Sequence, residues 1–259
     1  MIRSPLIIGH RGDSIHAPEN TLAAFSKALK AGADGIEFDV QLSKDGIPVV
    51  IHDLTLDRTG LRPEAVAALT TEELSTVDVG VWFNSKFPAL ADPAFRSETV
   101  PTLANVLGLL TDFDGLIYVE LKYGSDDVVP LAAAVCDVIR DSPFLPQMIV
   151  KSFKLAALPE IRQRLPAVQT AALFEPKMSD LFRGRRHIVS IASKVAADQL
   201  SVHYSLVTSK LMSLAAEARM PVTVWTVNDP NWLAKARRFG VRAVITNDPA
   251  RLIAQSGRH

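Results

Sequence analysis

Short apolar runs that end in polar residues recur along the chain. Between them, apolar residues return every three or four positions. Leu6-Ile7-Ile8 reads as a buried strand. From Pro18 to Ala31 the spacing predicts a helix: Pro18 suits its start, Leu22, Phe25 and Leu29 form one stripe, and Gly32 closes it. Gly35 to Val40 is the next strand, so the chain opens as βαβ, the signature of a parallel sheet. Further strands are predicted at Leu116–Leu121, Met148–Ser152, Val168–Phe174, Gln199–His203, Val222–Val227 and Ala243–Thr246. Helices are predicted near Asp127–Arg140, Leu155–Arg164, Ser209–Ala218 and Pro230–Phe239, and after Pro249.

Ile47–Ile51 starts too soon after Val40 for a parallel crossover, which takes roughly 10 residues or more. Lys44-Asp45-Gly46 is also a turn signal, so this segment belongs in an extended loop. Eight parallel strands remain, which predicts a closed (β/α)8 TIM barrel, a fold of about 250 residues. The 259 residues are read as one barrel domain, 1–259. The stretch 53–100 breaks the rhythm with Arg62-Pro63, a helix start at Thr70-Thr71-Glu72-Glu73 and a loop-like Asn84–Ser97. It reads as a small insertion subdomain at the catalytic face. Pro176–Arg186 is basic and irregular and is expected to be a long loop.

Composition narrows the classes. Hydrophobic residues make up 48% of the chain, enough for a sizeable core. Lys+Arg and Asp+Glu are both 28, so bulk charge gives no reason to expect a nucleic-acid or membrane-surface partner. The single cysteine, Cys136, forms no internal disulfide, and no run approaches the ~20 apolar residues of a membrane span. With no signal-type leader apparent, a cytoplasmic protein without an integral membrane segment is expected.

Barrel strands converge at their C-terminal ends. Those ends carry His10 and Arg11, then Glu37 and Asp39 two apart, then Glu120 and Lys122; the loop after strand two returns with His52-Asp53. Glu37, Asp39 and Glu120 are hard oxygen donors suited to one divalent cation, and Mg²⁺ and Ca²⁺ both accept them. Arg11 and Lys122 suit phosphate oxygens. Two imidazoles supply proton traffic, one to an attacking oxygen and one to a leaving alkoxide. Trp225 shares a face with Thr223 and Val227 at the mouth. His16, His187, His203 and His259 have no such placement and read as structural or surface residues.

Each of these groups alone has a plainer explanation. Glu37 or Asp39 could serve a structural ion pair, His10 could satisfy backbone carbonyls, Glu120 and Lys122 could pair with each other, and Trp225 could be core. Their joint placement at strand ends is what points to metal-assisted phosphoryl chemistry.

Ile8-Gly9-His10-Arg11-Gly12, Ala17-Pro18-Glu19-Asn20-Thr21, Gly35-Ile36-Glu37-Phe38-Asp39 and Asp45-Gly46-Ile47-Pro48-Val49-Val50-Ile51-His52-Asp53 together resemble the glycerophosphodiester phosphodiesterase family. Leu56-Asp57-Arg58-Thr59, Val119-Glu120-Leu121-Lys122, Val224-Trp225-Thr226-Val227-Asn228 and Ile245-Thr246-Asn247-Asp248-Pro249 extend the resemblance nearly end to end. It implies a metal-dependent barrel that hydrolyses small-molecule glycerophosphodiesters to glycerol 3-phosphate and an alcohol such as choline or ethanolamine. It also implies that His10 and His52 are the acid/base pair, and that Glu37, Asp39 and Glu120 are metal ligands. Arg11 and Lys122 become phosphate contacts, with Trp225 lining the glycerol or alcohol side. Water and the substrate's own glycerol hydroxyl both fit as first nucleophile.

Lys151 departs from the family pattern; pointing inward, it would add positive charge and alter substrate choice. Three other readings compete. A lysophospholipase D-type activity would want an apolar mouth, for which Phe83, Phe87 and Leu90 are candidates. A non-catalytic phosphodiester-binding barrel is disfavoured by the full set of histidines and carboxylates. A Schiff-base barrel enzyme would need Lys151 or Lys122 as nucleophile.

Overall fold

Alternation within the strands decides which side chains face the barrel interior. In β2 (Gly35–Leu42), Ile36, Phe38 and Val40 join the outer core between sheet and helices, while Glu37, Asp39 and Gln41 are buried on the opposite face. β1 (Leu6–His10) sends Ile7 outward and Ile8 inward. β4 (Leu116–Leu121) sends Ile117, Val119 and Leu121 outward and Tyr118 inward. β5 (Met148–Ser152) and β9 (Ala243–Thr246) repeat the split, with Ile149, Ala243 and Ile245 in the inner cluster. Across that interior the Tyr118 hydroxyl is 2.9 Å from Thr223 Oγ1 on β8 (Val222–Trp225). Each Ile or Phe fully removed from water contributes about 1.5–3 kcal/mol, so the outer layer dominates the fold's stability.

The computed structural model describes residues 4–176 and 187–257. The irregular loop expected over Pro176–Arg186 therefore lies, apart from Pro176, outside the described residues, as does His259. The sheet has nine strands, including β3 (Pro48–Val50), β6 (Gln169–Phe174) and β7 (Gln199–His203). β1 pairs in parallel with both β2 and β9 and closes the ring; β3 is antiparallel, on β2. The remaining eight strands form the expected (β/α)8 barrel.

Among the described residues the α-helices, in chain order, are α1 (Leu22–Lys30), α2 (Thr71–Leu74), α3 (Val81–Lys86), α4 (Leu103–Leu109), α5 (Val129–Ile139), α6 (Ala157–Arg164), α7 (Ile188–Lys194), α8 (Ser209–Glu217), α9 (Trp232–Phe239) and α10 (Pro249–Gln255).

Three local expectations need correction. The segment read as an extended loop is the second arm of a hairpin: Val40, Gln41 and Leu42 pair with Val50, Val49 and Pro48, around a turn in which Gly46 has φ 78°. The first helix begins at Leu22 rather than Pro18, because Thr21 caps it by accepting from Ala24 N at 3.2 Å. The freed residues 18–20 turn toward the barrel mouth instead. β8 ends at Trp225, so Val227 leaves the face of Thr223 and packs in the outer core.

Between β3 and α4, Phe83 is fully buried against Phe87, Phe95 and Trp82, at ring distances of 5.0, 5.6 and 5.9 Å. Thr70 caps α2 in a reciprocal box with Glu73.

Candidate active site

β1 ends in a turn that brings backbone and side chains of residues 10–12 over the tip of β2. Arg11 N donates to Glu37 O at 2.7 Å, and Arg11 has φ 55°. Gly12 follows at φ 83°, where a Cβ would lie 2.5 Å from the Ala24 carbonyl carbon, so the turn rests directly on α1. His10 stands beside Glu37 in register, with Nε2 3.8 Å from Glu37 Oε2. Its Nδ1 is 2.6 Å from Asn247 Oδ1. With the amide oxygen as acceptor, Nδ1 carries the proton and Nε2 keeps its lone pair toward the mouth. Burial pushes the His10 pKa below its ordinary value despite the opposing charge of Glu37, which keeps the ring neutral.

The hairpin carries His52 back to the same rim. Ile51 N donates to Asp39 O at 3.0 Å, and Gln41 Nε2 lies 2.6–3.1 Å from the carbonyls of Ile51, His52 and Asp53. His52 Nδ1 is 2.6 Å from Asp53 Oδ1, and Arg58 Nε donates to Asp53 Oδ2 at 2.6 Å. Arg58 also holds both oxygens of Glu19, which in turn accepts from Arg11 Nη1 at 2.7 Å. Burial alone would raise Asp53, but hydrogen bonds from Arg58 and His52 hold it below the usual carboxylate value.

Glu37, Asp39 and Glu120 place one ligand atom each within 4.8 Å of one another, and all three residues are buried. Three converging carboxylates form an all-oxygen donor set that fits a hard divalent cation. Among the described residues three cations face the trio. Arg11 Nε is 2.9 Å from Asp39 Oδ2, Lys122 Nζ is 3.2 Å from Asp39 Oδ1 and in contact with Glu120 Oε1, and Lys151 Nζ is 2.7 Å from Glu37 Oε1. Burial would raise both Glu37 and Asp39. Lys151 outweighs it at Glu37, as Arg11 and Lys122 do at Asp39, and both carboxyls are held below the ordinary carboxylate value. Burial would lower Lys122 and Lys151, but their carboxylate partners push both above the ordinary lysine value. Neither is a neutral amine, which argues against Schiff-base chemistry.

The sequence matches the model of the glycerophosphoryl diester phosphodiesterase family over residues 10–251. The chain belongs to this family. It is accordingly an enzyme, a phosphoric diester hydrolase. A glycerophosphodiester phosphodiesterase from Caldanaerobacter subterraneus subsp. tengcongensis is 33% identical over 248 residues, covering 96% of each chain. Among solved structures, an Oleispira antarctica phosphodiesterase in complex with the product sn-glycerol-3-phosphate superposes with a TM-score of 0.84 at 27% identity, covering 97% of this chain and 96% of the other. The Thermotoga maritima glycerophosphodiester phosphodiesterase gives 0.77 at 26% identity, covering 97% of this chain and 98% of the other.

His10, Arg11, Glu37, Asp39, His52, Glu120, Lys122 and Trp225 lie toward the C-terminal ends of barrel strands or in the loops that follow them. Trp225 is at the tip of β8, its ring 5.5 Å from Phe153 and 5.5 Å from His203. His203 is a correction. It ends β7 and stacks beside Trp225 and Tyr204 at the mouth, a placement that the predicted strand Gln199–His203 already contains. Gln41, Asn20 and Asn247 are supports that the sequence reading misses. Asn20 Nδ2 donates to Asp39 Oδ2 at 3.0 Å, and Asn20 Oδ1 accepts from Asp39 N at 3.3 Å. The alternation that singles out Glu37 and Asp39 also points to Gln41.

Phe83, a candidate for an apolar mouth, is core. His16 pairs with Asp13 at 2.8 Å beside Asp248, whose side chain caps α10.

Proposed function

We propose that this chain hydrolyses glycerophosphodiesters to glycerol 3-phosphate and an alcohol, with His10 and His52 as the acid/base pair. The carrying observation is the convergence of two imidazoles, three carboxylates and two basic side chains, from β1, β2, β4 and the hairpin, on one rim. In this reading Glu37, Asp39 and Glu120 hold one divalent cation, Mg²⁺ or Ca²⁺, which when bound would neutralise phosphoryl charge.

His10 is the base: its ring is neutral and its Nε2 lone pair can take a proton from the attacking oxygen. That oxygen is either water directly or the glycerol hydroxyl, in which case water then opens the cyclic phosphate to glycerol 3-phosphate. His52 is the acid: Asp53 orients its ring, which gives its Nε2 proton to the departing alkoxide. Arg11 and Lys122 contact phosphate, and Trp225 lines the glycerol or alcohol side. Residues 53–100 act as a subdomain that carries Arg58 to the rim. The thiol of Cys136 is free and buried, in keeping with a cytoplasmic setting. No helix among the described residues is long and apolar enough to cross a membrane.

One observation favours a second reading. A groove of about 480 Å³ beside Lys122, lined by Leu42, Leu54, Ala65, Tyr123 and Leu131, would take the apolar tail of a lysophospholipid. Incubation with glycerophosphocholine, glycerophosphoethanolamine and lysophosphatidylcholine, with products read by phosphorus NMR, tests both. Glycerol 3-phosphate from the soluble diesters is expected. Turnover of the lysolipid alone would replace the first reading with the second.

A further inference from the structure

Lys151 is a buried cation that no step above uses. It lies on β5 directly beside Glu120 in register, and only 2% of its side chain is exposed. Its Nζ is 2.7 Å from Glu37 Oε1 and 3.3 Å from Glu120 Oε2, so it bridges two of the three carboxylates that fit a cation. The contact with Glu37 combines opposite charge, the larger part, with a hydrogen bond. Arg11 and Lys122 differ from it. Their side chains keep 16% and 18% exposure and sit at the rim, within reach of an arriving phosphate. Lys151 is buried beside the trio, level with Glu120 on the neighbouring strand.

The charges then balance without any ion: Glu37, Asp39 and Glu120 against Arg11, Lys122 and Lys151. A divalent ion entering this set gains less than it would from three unpaired carboxylates, and it meets a fixed like charge in a region that salt screens poorly. Conversely, an acidic trio without its inner cation would carry uncompensated buried charge, which destabilises a fold strongly.

We propose that the Lys151 ammonium is a built-in competitor at the cation site, holding Glu37 and Glu120 together when no ion is bound and weakening divalent-cation affinity when one is. This rests on the reading of the acidic trio as the cation site. Lys151 thereby sets the Mg²⁺ or Ca²⁺ concentration at which the barrel mouth is loaded.

The test uses the full chain, stripped with chelator, as wild type, Lys151→Met and Lys151→Gln. Titration calorimetry with MgCl2 and with CaCl2 gives Kd, and thermal unfolding is followed with and without saturating Mg²⁺. Both variants are expected to bind the ion at least about tenfold more tightly than wild type, since a fixed positive charge has been removed from beside it. Their Tm is expected to fall below wild type in chelator and to rise more than wild type on adding Mg²⁺. Lys151→Gln keeps a hydrogen-bond donor without the charge, so it reports on affinity even where Lys151→Met folds only with the ion. Glu120→Gln, which removes a carboxylate instead, is expected to bind more weakly. Unchanged or weaker binding in both Lys151 variants, with Tm lowered equally with and without Mg²⁺, would make Lys151 a packing residue and overturn the proposal. Binding in none of the proteins would overturn the cation site itself, and the proposal with it.

Discussion

His52 and Asp53, adjacent in the chain, are joined side chain to side chain, Nδ1 to Oδ1 at 2.6 Å. Neighbouring residues rarely meet this way in a strand, where they point to opposite faces. Here the chain has left β3, and Gln41 holds the backbone of residues 51–53 in place. The pair fixes the ring so that Nε2 faces the mouth. Asp53→Ala is therefore expected to lower kcat by roughly tenfold or more with little change in KM, a smaller loss than the ~10²–10⁴ expected of His52→Ala. Steady-state kinetics on both variants checks the order; an Asp53→Ala enzyme as fast as wild type would remove Asp53 from the account.

The division of labour between the histidines is tested by leaving-group chemistry. A p-nitrophenolate departs without needing a proton, whereas choline does not. On glycerophospho-p-nitrophenol, His52→Ala is expected to recover most of its lost rate, while His10→Ala stays slow by ~10²-fold or more. Recovery in His10→Ala instead would exchange the two roles.

The pH profile follows from the burial of His10, which lowers its pKa below 6.5. A base must be deprotonated, so the acid limb of kcat/KM is expected below pH 6.5. Stability carries the same sign. Between the lowered value and 6.5 the unfolded chain binds the proton and the folded one does not, so this contribution is fully present above 6.5 and is lost as the pH falls through that window. Rate profiles and urea unfolding across pH check both; an acid limb above pH 6.5 would contradict the assignment of His10.

Much of this site is legible in the amino-acid sequence because it sits on strands with strict alternation. β2 is the clearest case: Ile36, Phe38 and Val40 mark one face, so Glu37 and Asp39 must share the other. What the sequence hides depends on contacts distant along the chain or on weak local signals. The hairpin pairing of β3 rests on only three residues. α4 and α7 span seven residues each, too short for a convincing apolar stripe. The late start of α1 reflects Asn20, which takes φ 59° and turns its amide to Asp39, a partner 19 positions away. The inward course of Lys151 is legible only as a condition, since a lysine in a barrel strand is tolerated only where carboxylates already wait for it.

The aromatic cluster under the 53–100 stretch gives a stability prediction. Phe83 is fully buried and packed edge-on against Trp82 and Phe95. Phe83→Ala is expected to cost about 3–5 kcal/mol of folding stability. Denaturant unfolding measures this directly; a loss near zero would mean that the cluster does not support the fold.

The most direct test of the account is the release of glycerol 3-phosphate from glycerophosphocholine by the wild-type chain, with Mg²⁺ or Ca²⁺ and then with excess chelator, beside His10→Ala and His52→Ala. Product is expected with the cation, with its loss in chelator and a fall of ~10²–10⁴ in each variant. Full turnover in chelator, or undiminished turnover in both variants, would contradict it.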